Sequence, residues 1–295
     1  NRWFDAQQVF LGPNPPDGAS VDFYLKAKPA KDQKVKITVL DSSGKTVREM
    51  DDAKAGAGIN RVDWNLRYNP PVKPTPEQEA AQAQGFFNGG PQGPMVEPGT
   101  YTVKVALGDN SQTQTVKIEE DPRIQITDAD RATRHDLLMQ LYDLYKRGDE
   151  GQKTIGGLKK SLADTLAAWK KPGAPKIPDD IRKQAEALSK KVDELSGKFV
   201  TERGAGGAGG PLHYTPPPLP QRVGRLMFQI EGYTAAPTQA EKDEMAGVSQ
   251  QLTTALDSVH AIVNTDLANL NKALRDANVP YITIGPPEAP PRRGE

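Results

Sequence analysis

The sequence predicts an α+β chain in which an antiparallel β-sandwich over residues 1–122 is followed by an elongated antiparallel four-helix bundle over residues 123–278. Residues 279–295 are read as a short extended segment and tail. Three observations carry this. Short runs with a period of two fill the chain as far as Asp121-Pro122-Arg123, and stripes with a period near 3.6 take over after it. At 295 residues the chain also exceeds the usual single-domain length, so each half can bury its own core.

The first alternating run is Val21-Asp22-Phe23-Tyr24-Leu25, after the turn-forming stretch Gly12-Pro13-Asn14-Pro15-Pro16-Asp17-Gly18-Ala19. Val35, Ile37 and Val39 then share one face, a Ser42-Ser43-Gly44 turn follows, and Thr46-Val47-Arg48 returns the chain, which is a hairpin pattern. Gly56-Ala57-Gly58 leads into a run with Val62, Trp64 and Leu66 inward, and Trp64 is the natural plug of a core. Thr100 to Leu107 alternates again and returns through Asp109-Asn110 into Gln112 to Ile118. About six or seven short strands over ~120 residues read as a sandwich of the immunoglobulin or fibronectin type.

One long interruption, residues 69–97, is rich in Pro, Gly, Gln and Ala and is expected to be a loop. Phe86 and Phe87 at its middle are candidates to anchor a partner or a sugar, or to fold back over an open edge of the sandwich.

Past the joint, Thr127 and Asp130 have the spacing of a capping box, so a helix starts at Asp128. Its stripe runs Leu137, Leu141, Leu144, Gly148, Gly151, Ile155, Leu158, Leu162, Leu166 and Trp169. Two glycines on the seam predict either a kink or the close approach of another chain segment. A second helix opens at Pro178-Asp179-Asp180, with Ile181, Ala185, Leu188, Val192, Leu195 and Phe199 on one face.

The glycine run 204–210 is a loop by composition. A shorter helix from about Pro220 to Tyr233 buries Val223, Leu226, Met227 and Ile230. Thr238 and Glu241 form a second capping box, followed by the stripe Met245, Val248, Leu252, Leu256, Val259, Val263, Leu267, Leu270 and Leu274. Its repeat is close to 3.6 residues, which predicts a nearly straight helix of roughly 50–60 Å. Four amphipathic helices in series bury their stripes only against one another. Val279 to Ile284 is expected to be extended, with the option of an added edge strand.

Composition narrows the function. Lys plus Arg and Asp plus Glu balance at 38 each, and no helix is one-sidedly basic, so nucleic acid and anionic lipid are set aside as partners. The absence of cysteine excludes disulfides, thiolate metal sites and a cysteine nucleophile. No run approaches the ~20 apolar residues of a membrane span, and no signal peptide is visible. The start at Asn1 is expected to mark a processed product or a fragment of a longer polypeptide.

The residues offer no catalytic constellation. His135, His213 and His260 are far apart and share no metal-ligand spacing; His213, beside Tyr214, is the one in a plausible pocket position. Nucleophile-elbow and phosphate-loop motifs are missing, and the 204–210 glycines follow a helix instead of a strand. Paired carboxylates such as Asp51-Asp52 and Asp179-Asp180 sit at turns and helix starts, where solvation and the helix dipole explain them. The turns Asp41-Ser42-Ser43-Gly44 and Asp17-Gly18 are open both to calcium and to ordinary hairpin roles. No cofactor is expected.

The segments "NPPDGASVDFYLK", "VKITVLDSSGKTVREM", "AGINRVDWNLRY", "EPGTYTVKV" and "IEEDPRIQIT", in that order, carry a family signal. Over about residues 8–128 they resemble the region after the β-propeller in bacterial proteins with sortilin-like or glycosyl-hydrolase-like repeats. The central part is similar to immunoglobulin-like modules of hook-capping proteins and of secretion-associated sorting domains.

The resemblance implies an upstream propeller with this chain as its carboxyl-terminal region, exported to the periplasm or the cell exterior of a bacterium. The family's acidic residues lie on the propeller, so none is carried over. The leading expectation is a non-catalytic accessory module contacting the upstream propeller or a separate subunit. A second expectation is glycan recognition through Phe86, Phe87, Tyr214 and Trp3. A third is a tail that shapes the cleft of a glycosidase-like parent. Asp121 and Arg123 are expected either to pair and fix the joint between the halves or to form an ordinary exposed linker.

Overall fold

The computed structural model describes residues 18–53, 55–76, 92–200 and 216–285. It is an α+β chain with antiparallel sheets, dividing into two compact units. One comprises residues Asn1–Pro70 and Gln92–Ile124, the other Pro71–Pro91 and Gln125–Glu295.

Among the described residues the first unit has six strands: β1 (Ala19–Leu25), β2 (Val35–Leu40), β3 (Thr46–Ala53), β4 (Gly58–Trp64), β5 (Gly99–Leu107) and β6 (Asn110–Ile118). They form a two-stranded sheet, β1-β4, and a four-stranded sheet in the order β3-β2-β5-β6. Both expected hairpins are present, β2 with β3 and β5 with β6. The β1–β4 pairing links strands far apart in sequence and could not be read from local pattern.

The two sheets share one core. Alternation sends Val35, Ile37 and Val39 inward from β2, and the fully buried Trp64 meets them from β4. The indole stands edge-on to Tyr101, with centroids 5.6 Å apart, and its Nε1–H donates to the Arg67 carbonyl at 3.0 Å. A buried indole keeps its polar atom satisfied in this way. The feet of the long loop are tied together, Val96 N–H donating to the Leu66 carbonyl at 2.8 Å and Tyr68 N–H to the Pro94 carbonyl at 2.9 Å.

The second unit contains α1 (Asp128–Trp169), α2 (Asp179–Ser196), α3 (Leu219–Glu231), α4 (Gln239–Ala261), a π-helical segment (Ile262–Leu267) and α5 (Ala268–Asp276). Helix α1 packs against α2, α3 and α4. Its cap is as expected, the Thr127 hydroxyl accepting from Asp130 N–H at 3.1 Å. Thr238 and Glu241 complete a reciprocal capping box at α4.

The seam glycines do not break α1. A Cβ on Gly148 would meet Leu252 and Pro220, and one on Gly151 would meet Leu256 and Phe199, so these glycines are where neighbouring side chains press on the backbone. Two stripe positions shift from expectation. Leu138 is buried where Leu137 was expected, with Leu137 packed at its margin. In the π-helical segment the buried residues are Ile262 and Leu267, five apart, and Val263, expected on the stripe, is only partly buried. A π turn, with i→i+5 bonds, brings residues at that spacing onto one face.

The segment after Val279, expected to be extended, pairs with no strand among the described residues. Asn278 takes a left-handed φ of 54° and ends α5 as the αL residue of a Schellman motif. In it Val279 N–H donates to the Leu274 carbonyl at 2.8 Å and Asn278 N–H to the Arg275 carbonyl at 3.0 Å. The following residues pack on the helices, Val279 and Ile282 joining the core. The Asn271 amide takes the place of a neighbouring strand, donating to the Ile282 carbonyl at 2.8 Å and accepting from Ile282 N–H at 2.7 Å.

Candidate interaction site

Phe86, Phe87, Tyr214, Trp3, His213 and Asp17 lie outside the described residues. Asp121 and Arg123 do pair: Arg123 Nε donates to Asp121 Oδ1 at 2.9 Å, and its own backbone N–H reaches the same oxygen at 3.0 Å. The guanidinium and these hydrogen bonds hold the Asp121 carboxyl down at about 2. Arg123 is 88% exposed in its side chain, so the pair orders a surface turn and contributes little to stability.

The Asp41 turn uses its carboxylate internally. Asp41 Oδ1 accepts from the Ser43 hydroxyl at 2.6 Å, from Ser43 N–H at 2.9 Å and from Lys45 N–H at 3.0 Å. The Ser43 hydroxyl leads in holding that carboxyl below its ordinary range. No cluster of three or more metal-ligating side chains occurs among the described residues. His135 is half-buried, and burial lowers its pKa; His260 is exposed.

The outer face of the β1–β4 sheet carries a different feature. Tyr24 and Ile59 are register partners on it, 70% and 83% exposed. Beside them Arg61 donates to both Asp22 oxygens, at 2.7 and 2.8 Å, and the Ser20 hydroxyl donates to Asp63 at 2.6 Å. An aromatic–aliphatic pair thus stands beside hydrogen-bonded polar side chains. Period-two alternation already puts Tyr24 opposite the core; only the β1–β4 register shows that Ile59 stands next to it.

A groove of about 790 Å³ opens along the side of the same unit, between β1 and β6. Among the described residues β1 pairs only with β4, and β6 only with β5. The core side of β1, with Val21, Phe23 and Leu25, is only half-buried. Residues facing each other across a ladder share a face. Gln112 and Gln114, opposite Val105 and Val103 in the register, therefore stand on the core side of β6, and both are exposed. The groove is apolar along β1 and β5 and amide-lined along β6. Local pattern does not reveal this groove, because it depends on which strands lie side by side.

Comparison with protein-family models, with curated proteins and with solved structures finds no match to this chain.

Proposed function

We propose that the chain is a non-catalytic accessory module giving structural support and protein contacts to an exported bacterial β-propeller protein. In this reading an immunoglobulin- or fibronectin-like sandwich precedes an elongated antiparallel four-helix bundle. The strand order β1-β4 and β3-β2-β5-β6 fits such a sandwich. Tyr101, early in β5, donates its hydroxyl to the Glu97 carbonyl at 2.7 Å, the arrangement of the tyrosine corner in immunoglobulin-like domains. Burial pushes that phenol up to about 12.

The observation that supports a contact role is the exposed Tyr24–Ile59 pair on the two-stranded sheet. Tyrosine in an apolar setting is a frequent anchor of protein interfaces, since it presents a large area for few rotatable bonds. The partner in this reading is the upstream propeller or a separate exported subunit.

A photo-crosslinking amino acid at position 24, in the natural gene product in its own cells, tests this. An adduct with a propeller-containing polypeptide that disappears in Ile59→Asp is expected. Turnover of a glycan or peptide by the isolated 295-residue chain would overturn the non-catalytic reading.

A further inference from the structure

We propose that the surface of the helical unit running from α5 to α1 is a binding groove for an extended peptide, and that its resident ligand is the chain's own residues 279–285. The inference stands on the helical unit alone and is independent of the Tyr24–Ile59 face.

The seated segment is held as a peptide ligand is held. It carries neither helix nor strand, and it buries Val279 and Ile282 while Pro280, Tyr281, Thr283 and Ile284 stay exposed. One inward residue in three is the spacing of a polyproline-II segment, whose backbone makes no bonds to itself and is left for a receptor to read. Pro280 favours that conformation in two ways, by fixing its own φ and by disfavouring helix at Val279.

The helices supply the backbone partners from their side chains. The Asn271 amide on α5 offers donors and an acceptor together and brackets both main-chain groups of Ile282. On α1 the Ser161 hydroxyl accepts from Gly285 N–H at 3.1 Å. One turn before Ser161, Gly157 lets the peptide backbone reach the helix: a Cβ there would run into the Gly285 carbonyl, and a Cβ on Gly285 would lie 3.1 Å from Ser161 Oγ.

Main-chain contacts give such a groove affinity, and the buried side chains set its choice. The ligand class is an extended peptide with aliphatic residues three apart and glycine three further on, as in Val279, Ile282 and Gly285.

The segment is also separable from the helices. Two buried side chains and the three hydrogen bonds from Asn271 and Ser161 are a small return against the entropy of ordering seven residues. The tail therefore opens while the helices stay folded. Its tether keeps it near the groove at an effective concentration in the millimolar range, so a second peptide of the same pattern enters only as the tail leaves.

Amide exchange on the full chain and a peptide titration test this together. In the unaltered chain the Ile282 and Gly285 amides should exchange about tenfold or more below free-peptide rates, whatever the protein concentration. Asn271→Ala should accelerate both amides about tenfold and Gly157→Ala the Gly285 amide by as much, while the Leu158 and Leu274 amides in the helices stay within about twofold. Ile282→Asp should empty the groove. A synthetic peptide of residues 279–285 should then shift the Asn271 side-chain amide resonances saturably, and should bind the unaltered chain about tenfold or more weakly because the tethered tail competes.

Free-peptide rates at Ile282 and Gly285 in the unaltered chain would overturn the proposal. So would helix amides that accelerate in step with the tail, or helices that unfold in Ile282→Asp, since either makes the segment part of the helical core and not its ligand. Failure of the peptide to bind Ile282→Asp would overturn it too. Tail protection that rises with protein concentration alongside dimer in sedimentation would overturn it by giving the groove to the tail of a second copy.

Discussion

The helical core and the β core are closed to different extents. In the helical unit most stripe positions are buried, down to glycines whose missing side chains admit Leu252, Leu256 and Phe199. In the two-sheet unit Val35, Ile37 and Val39 are sealed at 0–1% exposure, whereas Val21, Phe23 and Leu25, also facing the core, are only partly buried. A helix satisfies its backbone internally, so side chains alone can cover it. A sheet edge has backbone bonds left to make, and closing it takes another strand.

The largest test removes the plug of the β core. Trp64→Ala should destabilise the two-sheet unit by about 3–5 kcal/mol, through lost burial and the cavity left behind. Calorimetry should show that unit's transition falling while the helical transition holds. Equal shifts in both would mean that the two cores do not melt as separate units.

A smaller effect sharpens the helical side. Gly151→Ala places a methyl against Leu256 and Phe199 and should destabilise by about 1–3 kcal/mol, less the gain in helix propensity. Gly156→Ala, four residues short of Lys160 on the same helix, meets nothing within 4 Å and should stabilise by about 0.5–1 kcal/mol. Denaturant midpoints of the two variants should move in opposite directions. The same sign for both would break the claim that the glycine seam is a packing device.

The smallest effect lies at Asp121. Its folded-state carboxyl titrates at about 2, below the 3.8 of a free aspartate. The pairing therefore contributes above pH 3.8, and that contribution fades as pH falls from there through 2. An NMR titration should find the midpoint near 2 in low salt and rising towards 3.8 in Arg123→Ala. Melting temperature at neutral pH should barely change, because the pair is exposed.

Much of the fold was legible from local pattern. Ile181, Ala185, Leu188, Val192, Leu195 and Phe199 face inward as their spacing says, because helical periodicity is a property of neighbours in sequence. The cap at Thr238, the hairpin at Asp41 and the burial of Trp64 follow from equally local chemistry. The Leu138-for-Leu137 shift and the π turn at Ile262 did not, since each is set by what packs opposite. Phe86, Phe87 and Tyr214, the binding candidates that composition suggests, lie outside the described residues.

By itself, then, the sequence determined an antiparallel β half and a helical half, most of the residues that face inward, and the points where helices begin. Tertiary structure alone decided that β1 pairs with β4, that Ile59 stands beside Tyr24, that Asn271 holds the tail, and that a groove runs between β1 and β6. The physical reason is range. Periodicity and capping act over a few residues and are written in adjacent letters. Strand pairing, and any edge it leaves free, joins residues some forty positions apart, as in Ala19 with Trp64, and is settled only when the chain closes on itself.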